Sequence, residues 1–239
     1  MISVAILGAS GRMGALTLEL VNDAANLSLH AKLNSESEIS QMLGADVIVD
    51  FTLPDVSPKM VEFAIEHDQK IVVGTSGWNQ NKLAGLDRLL ALHPKAAVLV
   101  IPNFSIGSML AQGFAAQAAK YFDSIEIIEA HHAGKIDSPS GTAVRTAEEI
   151  SKARSGMVQP LLTGVDQRAR GEVVAGIPIH SIRVQGISAK QDVLFGGDSE
   201  VLNISHEVSS LRAYSNGIRL AIEFAVSATG LHVGLDKVV

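Results

Sequence analysis

The 239-residue chain contains no cysteine. That single absence removes disulfide frameworks, thiolate metal sites and cysteine nucleophiles together. An excess of basic charge is also missing: 19 Lys and Arg stand against 25 Asp and Glu, a formal net charge of −6. No general positive field is available to gather nucleic acid or an anionic membrane surface, so neither is expected as a partner and any anion must be bound locally. No uninterrupted apolar run approaches the roughly 20 residues of a membrane-spanning helix. The opening Met1-Ile2-Ser3-Val4-Ala5 has no basic flank, and its apolar run stops at Gly8, too early for a secretory signal. A soluble, cytoplasmic protein is expected.

What is present is a globular composition, 47% apolar and 18% charged, on a chain long enough for one large domain or two modest ones. Two are expected: residues 1–105 joined by 214–239, and residues 106–213. In the first hundred residues short β-branched runs alternate with longer amphipathic stretches, the pattern of parallel strands joined by crossover helices. Strands are expected at 2–7, 28–33, 46–50, 70–73 and 96–101, and helices at 11–21, 56–66 and 80–90. An alanine-rich helix over 106–121, with Met109, Leu110, Phe114 and Ala118 on one stripe, leaves the first domain.

Beyond it the order changes. A strand at 125–130 and a helix at 142–154 precede three clustered strand-like runs at 179–184, 191–195 and 201–206, which points to a mixed or antiparallel sheet with a helix on one face. Residues 155–177 show little periodicity and read as a loop. A last helix over 216–229 groups Ile218, Ala221, Ile222 and Ala225 and is expected to return to the first domain and close its sheet. The fold class is therefore α/β: a doubly wound, Rossmann-like parallel sheet plus an α+β domain with a mixed sheet.

The first expected strand runs directly into Gly8-Ala9-Ser10-Gly11-Arg12-Met13-Gly14 and a helix. In a dinucleotide turn these glycines serve tight reversal (Gly8), close pyrophosphate approach (Gly11) and helix–strand packing (Gly14), with the anion on free N–H groups at the helix N-terminus. A glycine-rich turn with no ligand is the plainer alternative; the position between a buried strand and an amphipathic helix favours the dinucleotide. Arg12 adds a cation beside the phosphates. Where an acidic residue usually holds the adenosine ribose, the chain has Asn34, which can bond a hydroxyl without repelling a 2′-phosphate. The cofactor is expected to be NADPH or NADH, with loose discrimination. Two further loops end expected parallel strands, Gly74-Thr75-Ser76-Gly77 and Pro102-Asn103-Phe104-Ser105, and their small and polar residues suit approach to the nicotinamide ribose, although ordinary turn chemistry would also use them.

The densest functional segment is Glu129-Ala130-His131-His132-Ala133-Gly134-Lys135-Ile136-Asp137-Ser138-Pro139-Ser140-Gly141-Thr142-Ala143. Two histidines, a lysine and a Ser140-Gly141-Thr142 turn opening a helix make a concentrated cationic site with anion-binding backbone. A small dicarboxylate suits it: Lys135 supplies a point charge, Gly141 and Thr142 supply N–H groups, and one histidine is left to act as an acid near neutrality. Paired histidines also raise metal binding. Consecutive strand residues point to opposite faces, however, and no cysteine or H-E-x-x-H companion exists, so no metal is expected.

These two motifs resemble those of the dihydrodipicolinate reductases of lysine and diaminopimelate biosynthesis. Supporting pieces extend over almost the whole chain: Val49-Asp50-Phe51-Thr52, the two loops at 74–77 and 102–105, Ile179-His180-Ser181-Ile182-Arg183, Ser205-His206 and Tyr214-Ser215-Asn216-Gly217. The resemblance implies an NAD(P)H-dependent reductase that passes hydride to C4 of a cyclic unsaturated imine dicarboxylate formed by loss of water from 4-hydroxy-tetrahydrodipicolinate. It further implies His131 as general acid, Lys135 as second proton donor or carboxylate anchor, and His132, Ser140, Gly141 and Thr142 around the substrate carboxylates. The family's members are homotetramers assembled largely through the sheets of their second domains, and they close one domain over the other. The chain departs from the family pattern at Asn34, and at Leu211, where an arginine is expected and Arg212 follows one residue later.

Two rival readings follow from the same residues. One is another two-domain NADP-dependent oxidoreductase, of homoserine or a semialdehyde; the acylating semialdehyde enzymes need a cysteine that this chain lacks. The other is a sensor that binds the nucleotide without turnover.

Overall fold

In the computed structural model, which describes residues 1–160 and 167–239, the chain divides into two compact units, Met1–Ile106 with Leu211–Val239, and Gly107–Ser210. The first is built on five parallel strands in sequence, β1 (Ile2–Leu7), β2 (Leu27–Leu33), β3 (Val47–Asp50), β4 (Lys70–Val73) and β5 (Ala97–Val100). Helices α1 (Arg12–Asp23), α2 (Ser57–Glu66) and α3 (Gln80–Leu90) connect them. Every residue of β3 and β5 is buried, and all but Asp50 at the end of β3 are apolar, the pattern of strands covered on both faces. Val61, Ala64 and Ile65 of α2, with Leu86 and Leu90 of α3, cluster with Ala5, Leu7, Ile48, Ile71, Val73, Val98 and Val100 of the strands. Full burial of each large aliphatic in such a cluster contributes about 1.5–3 kcal/mol before conformational entropy is set against it.

After the second unit the chain returns as α6 (Ser215–Ala225), which packs against β3, β4, β5 and α1 through Ile218, Ala221, Ile222 and Ala225. The helix ends four residues short of the expected 229. The residues that follow form a strand not expected from the sequence, β11 (Gly230–Val233), paired in parallel with β5. Four half-buried residues at a sheet edge are too few to show a period. The sheet order is β11-β5-β4-β3-β1-β2, so the chain leaves β1 towards β2 and resumes on its other side at β3.

The second unit holds most of α4 (Ile106–Ala118), then β6 (Ser124–His131), α5 (Gly141–Ala153), β7 (Glu172–Val174), β8 (Ile177–Arg183), β9 (Ala189–Gly197) and β10 (Glu200–Val208). Its sheet order is β10-β9-β6-β8-β7, with β6 and β8 parallel and the other pairings antiparallel, a mixed sheet. Ala143, Ala147 and Ile150 of α5 bury one face against Ile125, Ile127, Ile177, Ile179, Val193 and Phe195. The expected loop over 155–177 is corrected in its described part: a 3-10 turn at Arg168–Arg170 and strand β7 occupy it, and β7 pairs back onto β8 around Ala175 and Gly176, both at positive φ. Residues 161–166 of that loop lie outside the described residues. Among the described residues no helix is long and apolar enough to cross a membrane.

Candidate functional site

In the first unit the expected cofactor residues share one edge, the carboxyl ends of β1, β2, β4 and β5, beside the point where strand order reverses between β1 and β3. Open α/β sheets bind ligands at such an edge. Gly8 takes φ 74°, and a Cβ there would lie 2.5 Å from the Phe51 carbonyl oxygen. Gly11 is the extended N-cap of α1, and a Cβ on Gly14 would lie 2.2 Å from the Gly8 carbonyl oxygen, so strand, turn and helix pack without side chains between them. No side chain caps α1 and its first turn carries no acidic residue. The Ala9 amide donates to the Leu33 carbonyl, and those of Ser10, Arg12 and Met13 are left for an external anion, with the exposed Arg12 beside them. The turn fits a dinucleotide pyrophosphate.

Asn34 is exposed at the end of β2, and its Oδ1 accepts hydrogen bonds from Glu36 N at 2.9 Å and Ser37 Oγ at 3.2 Å. Its side-chain NH₂ is what remains to meet a ribose. The other two loops divide their roles. The space at Gly74 belongs to rings: a Cβ there would lie 2.2 Å from Phe51 Cε1 and 2.8 Å from Phe104 Cε2. Phe51 and Phe104 meet edge to face with centroids 5.6 Å apart, and Phe104 is buried, so it can offer a ligand only backbone. Thr75 is buried as well, its hydroxyl 3.3 Å from Thr52 O, whereas Ser76 and Pro102 are exposed and Asn103 Oδ1 accepts from Ser105 N at 2.9 Å. Arg212 forms an ion pair with Glu19 on α1.

The buried carboxylate of Asp50, unassigned by the sequence, fixes this edge. It accepts from Thr52 N at 2.8 Å, Thr52 Oγ1 at 2.6 Å and Ser57 Oγ, tying the end of β3 to the first turn of α2.

In the second unit the strand period places Ile125, Ile127, Glu129 and His131 of β6 on the face covered by α5. Glu129 is 0% exposed yet charged, and it is saturated with donors. Oε2 accepts from His131 Nδ1 at 2.6 Å and Arg183 Nη1 at 2.9 Å; Oε1 accepts from Arg183 Nη2 at 2.8 Å and Ser140 N at 3.1 Å. Burial alone would raise the Glu129 carboxyl, but hydrogen bonds from Arg183, Ser181 and His131 outweigh it and hold the group below the usual carboxylate range. Burial lowers the His131 pKa, the Glu129 hydrogen bond and charge oppose this, and Lys135 and Arg183 add to it; the net direction is downward.

The segment after β6 is organised by the same arginine, which also donates to Asp137 O at 2.7 Å. Lys135 is paired with Asp137 at 2.7 Å, and that hydrogen bond lowers the aspartate's pKa. His132 is exposed. Ser140 is the N-cap of α5: its Oγ accepts from Ala143 N at 3.3 Å while its N–H goes to Glu129, so only its hydroxyl proton is left to offer. Gly141 is exposed, with open space where a Cβ would stand, and Thr142 is half-buried beside it. His131, His132, Lys135, Ser140, Gly141 and Thr142 thus lie together around the end of β6 and the start of α5. Among the described residues no group of three or more His, Asp or Glu is placed to hold a metal ion.

Sequence reasoning passed over Glu129 and Arg183 as functional residues. Glu129 had a signal: it continues the inward alternation of Ile125 and Ile127, where a charge is costly unless paired. Arg183 stood only within the 179–183 piece of the resemblance, and nothing local tied it to Glu129, because the β6–β8 register sets it opposite His131.

The sequence model for the N-terminal part of dihydrodipicolinate reductase matches residues 2–104, and that for its C-terminal part matches residues 107–239. A 4-hydroxy-tetrahydrodipicolinate reductase of Clavibacter michiganensis subsp. michiganensis is 51% identical over 99% of this chain and 86% of its own length. Its counterpart in Cutibacterium acnes is 42% identical over 99% and 98%. The solved structure of dipicolinate-bound dihydrodipicolinate reductase from Paenisporosarcina sp. TG-14 is similar over the whole of both chains, with a TM-score of 0.83 at 30% identity. With both halves matched and both sheets in place, the chain belongs to the dihydrodipicolinate reductase family and is an oxidoreductase of amino-acid biosynthesis.

Proposed function

We propose that the chain reduces the cyclic imine dicarboxylate formed by loss of water from 4-hydroxy-tetrahydrodipicolinate, with His131 as the acid of the reaction. The observation that carries this reading is the imidazole of His131, tethered 2.6 Å from a buried carboxylate and neighboured by Lys135 and the N-terminus of α5. NADPH or NADH, held by the 8–13 turn, supplies a hydride when bound. On the substrate that hydride enters at C4, the conjugated electron pair moves towards nitrogen, and the adjacent carbon takes a proton, so one hydride and one proton complete the reduction.

This chain's residues do the rest. Lys135 exchanges Asp137 for a substrate carboxylate, and the amides of Gly141 and Thr142, together with His132, take the other. Neutralising both carboxylates in the second unit permits an electron-rich donor to approach. His131 delivers the proton, an effect worth roughly 10²–10⁴ in rate. We assign residues 1–105 and 214–239 to dinucleotide binding, and 106–213 to substrate binding and assembly of a cytoplasmic homotetramer. A sensor without turnover is distinguished by the same assay.

The test couples the enzyme to the product of dihydrodipicolinate synthase and follows loss of NADPH and NADH absorbance separately. His131→Gln is expected to lower kcat by roughly 10²–10⁴ while leaving cofactor affinity unchanged, because proton donation matters in the transition state. Equal activity of variant and parent removes His131 from the role, and no oxidation of either cofactor removes the substrate.

A further inference from the structure

We propose that Glu129, clamped by Arg183, is the positioning residue that holds His131 with its proton on Nδ1 and thereby commits Nε2 to proton transfer. The inference rests on the reading of His131 as the acid and deepens it.

An ionised carboxylate only accepts hydrogen bonds, so a 2.6 Å contact between Glu129 Oε2 and His131 Nδ1 requires the proton on Nδ1. The neutral ring then presents Nε2 as an acceptor, and the protonated ring presents an acidic Nε2–H at the same place. The opposite tautomer, with Nε2–H in the neutral ring, would have no lone pair at Nε2 to take up the proton that the ring must deliver there. Three further donors, Arg183 Nη1, Arg183 Nη2 and Ser140 N, keep Glu129 ionised although it is buried. They also spread its charge over several partners, so that the carboxylate orients the imidazole without capturing its proton. The His131 side chain keeps 16% exposure while its Nδ1 is fixed by Glu129.

The charged groups around His131 are few. Glu129 faces it from β6, Arg183 from β8 and Lys135 from the following segment, where Lys135 is paired with Asp137. β9 sets Ala189 opposite it, followed by Lys190 in an ion pair with Asp192, and the residues that α5 buries against the sheet, Ala143, Thr146, Ala147 and Ile150, carry no charge. Removal of Glu129 therefore takes away the carboxylate that favours the protonated ring, and removal of Arg183 takes away a cation that opposes it. The two changes must move the ring's titration in opposite directions, which a merely structural role for either residue would not do.

The test begins with the unaltered protein. Histidine-ring ¹⁵N spectra, assigned by the signal missing from His131→Gln, are expected to show neutral His131 with Nδ1 pyrrole-like and Nε2 pyridine-like; the reverse overturns the proposal without any further variant. In Glu129→Gln the carboxamide NH₂ can face Nδ1, so the tautomer should invert. Its kcat near pH 7 should fall about 10²-fold, with the pH limb moved down and NAD(P)H affinity unchanged. Arg183→Gln should keep the tautomer and move the limb up. If His131→Gln is inactive while Glu129→Gln keeps the parental tautomer and pH profile, the proposal fails and the site reading stands. If His131→Gln is fully active, the site reading fails, and the ring spectra still decide whether Glu129 sets the tautomer.

Discussion

At the scale of single residues the second unit concentrates its charge where a dicarboxylate can use it, and Lys135 shows how. Its ammonium is held by Asp137 at 2.7 Å, an internal carboxylate at the place proposed for a substrate carboxylate. Lys135→Ala should therefore raise KM for the dicarboxylate by about 10–100-fold, the worth of one charged hydrogen bond of roughly 1.5–3 kcal/mol, and lower kcat as well. Initial rates over a substrate series check this, and unchanged constants would return Lys135 to the surface. Asn34 makes a comparable case in the first unit. Aspartate there can keep the Oδ1 contacts to Glu36 N and Ser37 Oγ while adding a negative charge. Asn34→Asp is expected to raise KM for NADPH relative to NADH on the order of tenfold, through repulsion of the 2′-phosphate. Parallel titration of the two cofactors measures it.

At the scale of elements, close backbone approach governs the first unit. Gly217 in the first turn of α6 has the Phe104 carbonyl so near that a Cβ would lie 1.9 Å from its oxygen. The contact locks the returning helix onto the loop after β5, and Phe104 in turn packs on Phe51. Gly217→Ala must push α6 off the sheet that Ile218, Ala221 and Ile222 cover, and overpacking of this kind typically costs about 1–3 kcal/mol. A lower thermal midpoint with weaker cofactor binding is the expected result; a parental midpoint would show that α6 shifts freely. In the second unit the corresponding device is a helix start, since Ser140 caps α5 and hands its N–H to Glu129, so that the positive end of the helix faces the buried carboxylate.

At the scale of the whole molecule, the chain's second sheet is covered by α5 on one face, while Ile182 and Val201 on the opposite face remain more than a third exposed in a single chain. An apolar surface of that kind suits association with further copies under closed symmetry. Light scattering coupled to gel filtration is expected to give four times the 25.2 kDa chain mass, and a monomer at micromolar concentration would remove the homotetramer.

Much of this protein is legible in one dimension. Buried parallel strands are apolar along their whole length, so β1, β4 and α3 lie where periodicity places them, and the glycines of the 8–14 turn mark the cofactor edge because only glycine permits the φ of Gly8 and the packing at Gly14. Short edge pieces such as β7 and β11 were hidden, since three or four exposed or half-buried residues carry no period. The carboxylate–imidazole–guanidinium arrangement was hidden for a different reason. Glu129 and His131 are two residues apart, and their shared face follows from a strand's period of two. Arg183 reaches them from 54 positions away through the parallel register of β6 with β8. Local sequence thus determined which residue types are present and which way a strand turns them. Only the packed sheet decided which distant charge neutralises which buried one, because hydrogen bonds depend on separation in space and the chain's order does not encode that separation.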